Sequence, residues 1–392
     1  MADAETVLNK LLDRIVEEPH KSGIRSFIPL TSGGGNYTSA LFKITITAKN
    51  ADDLKLFAKV ADVKGQLRDL MNVKLLFDTE QFVYSELGKT YEKIQDKHNV
   101  APEYRFTFPK FYGGESVEEQ ETVVFEDLVS KGYSTYCRFK SIDWEHAATA
   151  VESLARFHAL SFAFEKEDPV NFAKALEKLK YQIPEHDDNL RETGIKIVDD
   201  AIQVTKEEHK EAIRNLMAAV DDSTQEEVYQ YKLPLSKPVL CHGDYRVSNL
   251  MFQRQNGHLK TMVLDFQTCH VGCALIDLLY LEFTGTDEEF RRENHQKFID
   301  HYFQELTRAL GRLGLDVNDV YPRELFDDEL RQMLPVTLRL SIFVLPLVLV
   351  EAELAPQFGK DGDYESLAIS PNHLFAERFS GIVSDCVRWG VI

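Results

Sequence analysis

The sequence predicts an α+β protein in two lobes, a small strand-rich one over residues 1–128 and a larger helical one over 129–392. Three observations predict it. Segments 41–48 and 54–60 alternate apolar and polar residues around a short polar turn, as the two strands of a hairpin do. Residues 144–163 repeat apolar side chains at helical spacing and open a helix-rich remainder. A length of 392 residues accommodates two lobes, with a ligand expected in the cleft between them.

The elements follow in order. The opening MADAETVLNKLLDRIVEE carries Val7, Leu11, Leu12 and Ile15 at helical spacing, an amphipathic helix. It has neither the basic start nor the apolar run of a signal peptide. After the hairpin, residues 67–97 carry helical spacing with Leu70, Phe77, Glu80, Tyr84 and Leu87 on one side. Val123, Val124 and Phe125 form a short buried strand that stops at Glu126-Asp127-Leu128. In the helix over 144–163, Ala147, Val151, Leu154, Phe157 and Leu160 make the apolar stripe. A polar, acidic helical region covers about 165–230, and two short strands near 250 and 263 flank a turn at Gln255-Asn256-Gly257. The greasiest stretch, 334–350, contains Arg339 and Pro346 and is too short to cross a bilayer. It is expected to be a buried helix, broken or kinked at Pro346, and not a membrane anchor.

Composition narrows the partners. A net charge of −19 argues against sequence-independent binding to nucleic acid, which needs surplus Lys and Arg to displace counterions. Five cysteines, an odd count without a secretion signal, point to reduced thiols and a cytoplasmic protein. Cys269, His270 and Cys273 lack the second ligand pair of a zinc site. No sequence feature bears on oligomeric state.

The chemistry concentrates in VLCHGDYRVSNLMF, residues 239–252. An apolar run enters a loop holding His242, Asp244 and Asn249, and a second apolar run leaves it. Asn249 falls five residues after Asp244, and Asp265, in Asp265-Phe266-Gln267, sixteen after Asn249. Phosphoryl transfer to a hydroxyl needs this set: one carboxylate to take the proton of the attacking group, and a carboxylate with an amide oxygen to hold magnesium against the phosphates of ATP. Asp244 fits the first role; Asn249 and Asp265 fit the second. Ordinary residue usage yields the four-residue pattern His242-Gly243-Asp244-x4-Asn249 by chance in roughly one chain in a thousand of this length, and the placed Asp265-Phe266 makes the coincidence rarer still.

Upstream, TSGGGNYTS at 31–39 lies between two strand-like segments. Gly34 and Gly35 let backbone amides approach phosphate oxygens, and Asn36 and Ser39 add donors, although three glycines alone are more often a plain turn. No Gly-Lys-Ser/Thr follows, so it is not a Walker loop. Lys59 on the second hairpin strand can reach phosphates while Glu80 on the next helix orients it. Lys55 shares that strand face, and Lys59 is favoured because it sits nearest the apolar strand centre. The carbonyl of Glu126 and the amide of Leu128 are candidates to read adenine, with Phe125 behind. His242 and Asp277 are expected to be scaffolding, since a carboxylate at an apolar helix start must find donors and the catalytic loop backbone supplies them. His158 is expected to be a core histidine.

With these residues in hand, the chain resembles the kinase-like phosphotransferases that include choline kinases and aminoglycoside phosphotransferases. It resembles most closely the ecdysteroid kinase-like family. The likeness covers Gly35 to Ser39, the helix from Phe77 to Tyr84, Val124 to Leu128, Leu154 to Phe162, His242 to Phe252 and Leu264 to Tyr280. Gln267 is telling, because that family has glutamine where protein kinases have glycine. The resemblance implies a protein kinase-like fold, ATP and Mg2+ as cofactors, Asp244 as catalytic base, and Asn249 and Asp265 as metal ligands. It implies a small-molecule alcohol as acceptor, an ecdysteroid or a xenobiotic. One departure stands out: Arg246 occupies a position that the family commonly gives to an aromatic residue. A cation there is expected to stabilise the transferred phosphate. The competing readings are a choline-, ethanolamine- or aminoglycoside-type phosphotransferase, and a non-catalytic ligand-binding relative.

Overall fold

Alternation of apolar and polar side chains turns the first third of the chain into an antiparallel sheet. The computed structural model describes residues 4–31, 38–183, 187–221, 229–355 and 369–392. Its sheet contains β1 (Ile24–Leu30), β2 (Ser39–Thr47), β3 (Leu54–Ala61), β4 (Phe111–Glu115) and β5 (Thr122–Glu126), in the spatial order β1-β2-β3-β5-β4. The predicted hairpin is β2 and β3. Register pairs Lys59 with Leu41 on one side and with Val123 on the other, so Lys59 occupies the central strand. The outer face of the sheet buries Ile44, Ile46, Leu56, Ala58 and Val124 against Leu8, Leu11 and Leu12 of α1 (Ala4–Ile15). The amphipathic helix expected at the start of the chain is therefore the cover of the sheet.

Period-2 geometry puts Phe57, Lys59, Val123 and Phe125 on the opposite face, which looks into the molecule. There the sheet meets the helical segment that follows β3. This segment comprises α2 (Gly65–Leu70), α3 (Val73–Phe82), a π turn at Val83–Leu87 and α4 (Gly88–Lys97). The π turn adds a residue to one helical turn and keeps Val83, Tyr84 and Leu87 buried.

The larger lobe is built on α5 (Trp144–Glu167), capped by the Asp143 carboxylate accepting from the His146 amide. α6 (Pro169–Lys178), α7 (Asp188–Gln203) and α8 (Glu207–Asp221) make up the acidic helical region. Five short strands carry the loops of interest: β6 (Ser134–Thr135), β7 (Val239–Cys241), β8 (Leu250–Gln255), β9 (His258–Val263) and β10 (His270–Gly272). They pair as β6-β8-β9 and as β7-β10. The β8–β9 turn has Asn256 at φ 52° and Gly257 at φ 82°, the left-handed pair that a two-residue hairpin loop requires.

α9 (Ala274–Gly285), α10 (Glu288–Arg312), α11 (Arg323–Leu349) and α12 (His373–Arg388) complete the core, with α5 lying along α10 and α9 along α11. α11 corrects one expectation. The helix is not broken at Pro346: it starts well before residue 334 and runs through both Pro335 and Pro346 to Leu349. Ile342, Leu345, Val348 and Leu349 are fully buried around Pro346, and that packing outweighs the backbone hydrogen bond a proline removes. Among the described residues α11 alone is long and apolar enough to cross a membrane, with a mean hydropathy of 1.8, yet 61% of that window is buried inside the protein. Its apolar surface is core.

Candidate active site

The loop between β7 and β8 is held by backbone and by one carboxylate beneath it. Asp277, on the first turn of α9, accepts the amides of His242 at 2.6 Å and Gly243 at 2.8 Å. His158 Nε2 lies 3.2 Å from the same carboxylate, and its Nδ1 meets the Tyr302 hydroxyl at 2.7 Å. Burial alone would raise the Asp277 pKa, but His158, His242 and the Gly243 amide outweigh it and hold the carboxyl below the usual range. Gly243 has φ +83°, and a Cβ there would collide with the Thr268 carbonyl and the His270 ring, so only glycine fits.

His242 locks the loop from the other side. Its Nε2 lies 2.8 Å from the Leu264 carbonyl and its Nδ1 accepts the Asp244 amide at 3.2 Å. Those two contacts fix the orientation of the ring. The Leu264 amide donates to the Asn249 carbonyl at 2.9 Å, which ties the catalytic loop to the end of β9. Asp265 follows at φ 67°, a left-handed turn that redirects its side chain, while Phe266 is buried against His242, Tyr84, Phe108 and Phe157.

The far-apart polar residues meet at the edge of the cleft. Lys59 Nζ donates to Glu80 Oε1 at 2.8 Å and to Asp265 Oδ1 at 2.6 Å. All three side chains are buried. Lys55 is exposed on the same strand. Burial would lower the Lys59 pKa, but Asp265 and then Glu80 outweigh it and keep the ammonium charged. Two carboxylates share this one cation. Burial pushes Glu80 up to about 7, whereas Lys59, with Arg246 and His242, outweighs burial at Asp265 and holds it low.

Asp244 Oδ2 accepts Arg246 Nε at 3.0 Å and Asn249 Nδ2 at 2.9 Å. The Asn249 amide nitrogen is thus spent within the loop, and its oxygen is the atom left to coordinate. Asn249 and Asp265 both line the cavity and together offer hard oxygens, the donors magnesium prefers. The residues present fit a magnesium–nucleotide pair.

The cavity has a volume of about 650 Å³ and lies between the sheet and the β6-β8-β9 strands. Lys59 and Asp265 line it, as do Glu126, Asp127 and Leu128. The Glu126 carboxylate is committed elsewhere, accepting the Lys110 amide at 2.8 Å and pairing with Lys131. Leu128 packs on Met251 and Met262, and its carbonyl accepts the Lys131 and Tyr133 amides. Phe125 stacks edge-on against Tyr84 at 4.6 Å behind them. Ser39 begins β2 beside Thr38. Gly34, Gly35 and Asn36 lie outside the described residues.

Three participants were not singled out from the sequence. Thr38 Oγ1 donates to Gln267 Oε1 at 3.3 Å, which joins the glycine-rich segment to the turn after Asp265. The Tyr280 hydroxyl is in hydrogen-bonding reach of Asp244. Lys232 feels the charges of Asp277 and Asp244. Helical spacing from Asp277 flags Tyr280, three residues on; nothing local flags the other two. Among the described residues one trio of ligating side chains clusters, His158, Cys241 and Asp277, and its histidine and carboxylate are engaged as above.

A strand-rich lobe over a helical one, with a sheet lysine bridged to a helix glutamate and a turn aspartate, is the arrangement of the protein kinase-like class. A family model agrees: the ecdysteroid kinase-like family matches residues 33–315, and the chain belongs to that family. An uncharacterized kinase-like protein of Caenorhabditis elegans is 26% identical over 202 residues, 50% of this chain and 51% of that protein. The chain thus spans about half the length of that curated relative. A solved microcompartment-associated aminopropanol kinase aligns over 99% of this chain and 98% of its own, with 10% identity and a TM-score of 0.41.

Proposed function

We propose that the protein transfers the γ-phosphate of ATP to a hydroxyl of a lipophilic alcohol, with ecdysteroids and xenobiotics as the candidate acceptors. The observation that carries this reading is the convergence of Glu80 and Asp265 on Lys59, at 2.8 and 2.6 Å, beside a cavity that Asn249 also lines. The family's name supplies the acceptor candidates.

The chemistry follows from the residues. The acceptor oxygen forms a bond to the γ-phosphorus, the bond from that phosphorus to the β-phosphate oxygen breaks, and ADP leaves with the electron pair. Asp244 takes the hydroxyl proton and passes it to solvent. Arg246, held beside Asp244, presents a cation to the phosphate in transfer. Lys59, oriented by Glu80, contacts the α- and β-phosphates. Magnesium held by Asn249 and Asp265 would neutralise phosphate charge. The Glu126 carbonyl and Leu128 amide receive adenine. Five free thiols, four of them buried, support a reducing, cytoplasmic setting.

The test is a phosphorylation screen of ecdysteroids, other sterols and plant toxins with ATP and magnesium, read by mass spectrometry. A mass gain of one phosphate on an alcohol, absent with Asp244→Asn, supports the reading. Wild-type protein that binds one of these alcohols tightly and phosphorylates none of them contradicts it.

A further inference from the structure

Where α5 lies along α10, the two helices and the connector that follows α4 leave a small cavity of about 10 Å³. The small lobe lines it with Gln95 of α4 and with Val100 and Tyr104 of the connector. The large lobe lines it with Arg156 and Leu160 of α5 and with Arg312 at the end of α10. It shares no residue with the nucleotide cavity. A volume of this size holds about one water-sized species.

Two guanidinium groups face this one cavity, and each keeps a donor unmet. Arg156 Nε and Arg312 Nη1 are both buried without a hydrogen-bond partner. Arg156 spends other nitrogens on the Glu103 carbonyl at 3.2 Å and the Glu152 carboxylate at 3.5 Å, while the Arg312 guanidinium lies 3.9 Å over the Tyr104 ring. Glu305, whose charge Arg156 also feels, bonds Arg308. Neither glutamate lines the cavity.

The acceptors in the wall are engaged. Gln95 Oε1 accepts the Phe106 amide at 2.8 Å, the Val100 carbonyl accepts Arg105 Nε at 2.9 Å, and the Ala309 carbonyl accepts the Leu313 amide at 3.3 Å. Burial lowers the Arg156 pKa; Glu152 opposes that fall and the neighbouring Arg312 charge adds to it. Like charges beside one cavity, with buried donors unmet, are costly. A water between them would satisfy the donors and leave the repulsion; a small anion removes both.

We propose that this cavity is a halide site, in which one chloride ion accepts from Arg156 Nε and Arg312 Nη1. Phosphates and carboxylic acids are too large for it. α4 continues the helical segment that carries Glu80, so an ion here ties that segment and its connector to α5 and α10. An ion that binds only the folded chain stabilises it in proportion to its occupancy.

The test is thermal unfolding of the full chain in sodium chloride and in sodium gluconate at matched ionic strength, for wild-type and Arg312→Met protein. Gluconate is too large for the cavity, and the variant controls for the general effect of each salt on the protein surface. Replacing gluconate by chloride should raise the wild-type midpoint by about 2 °C more than it raises that of the variant. Equal responses of the two proteins overturn the proposal. Should Arg312→Met fail to fold, crystals of the wild-type chain grown in sodium bromide decide the question. An anomalous peak between the Arg156 and Arg312 guanidinium groups supports the halide site, and a water there without anomalous signal overturns it.

Discussion

The Lys59 ammonium and the Asp265 carboxylate, 206 positions apart in the chain, meet at 2.6 Å. One comes from the centre of the sheet and the other from the turn after β9, so this contact closes the two lobes on each other. It also sets an unequal division of charge. With one cation between two buried carboxylates, Asp265 keeps the negative charge and Glu80 is pushed toward its neutral form.

That division has a pH signature. The Glu80 pKa is raised from 4.5 to about 7, so between these values the folded chain holds a proton that the unfolded chain has released. Stability from this group is complete below 4.5 and is lost as pH rises through 7. Urea unfolding at a series of pH values should show that fall in the wild-type chain, and Glu80→Gln should flatten it. An identical slope in both proteins would show that Glu80 is not the group responsible.

Replacing Lys59 leaves two buried carboxylates without a cation. Lys59→Met should weaken ATP binding and cut turnover about a hundredfold or more, the scale of losing a fixed electrostatic contact to the phosphates. Calorimetric titration with ATP and magnesium, beside steady-state kinetics, measures both effects. ATP affinity and turnover at the wild-type level would remove Lys59 from the site.

Asp277 supports the catalytic loop from below and touches no reacting atom. Asp277→Ala strands the buried amides of His242 and Gly243, at a cost of about 3 kcal/mol. Asp277→Asn keeps an acceptor oxygen and should cost roughly half as much. Denaturant midpoints of the three proteins check the order; equal midpoints would mean that the loop is held by something else.

Arg246 Nε bonds Asp244 at 3.0 Å, which holds a guanidinium cation beside the proposed catalytic base. Arg246→Ala should lower kcat by about ten- to a hundredfold while the ATP dissociation constant stays put. If kcat is unaffected, Arg246 serves only to orient Asp244.

Much of this was legible in the sequence because the signals are local. Alternation announced β2 and β3, helical spacing announced α1 and α5, and fixed intervals joined Asp244, Asn249 and Asp265. Lys59 over Lys55 followed from which of the two sits nearer the apolar strand centre. What escaped was non-local or weakly patterned. β4 reads Phe-Tyr-Gly-Gly-Glu, which has no alternation, and β6 and β10 are too short to show any. That the helix continues through Pro346 was not legible, because core packing around the proline is invisible in sequence. The Thr38–Gln267 bond and the contact of Lys232 with the Tyr181 ring join segments far apart in the chain, and no spacing rule connects them.

The central claim is that Asp244 takes the proton of an alcohol acceptor, and its most direct measurement is single-turnover phosphoryl transfer by wild-type and Asp244→Asn protein at saturating ATP and magnesium. The account predicts a rate lower by about a hundred- to ten-thousandfold in the variant, with nucleotide affinity unchanged. Equal rates in the two proteins would contradict it.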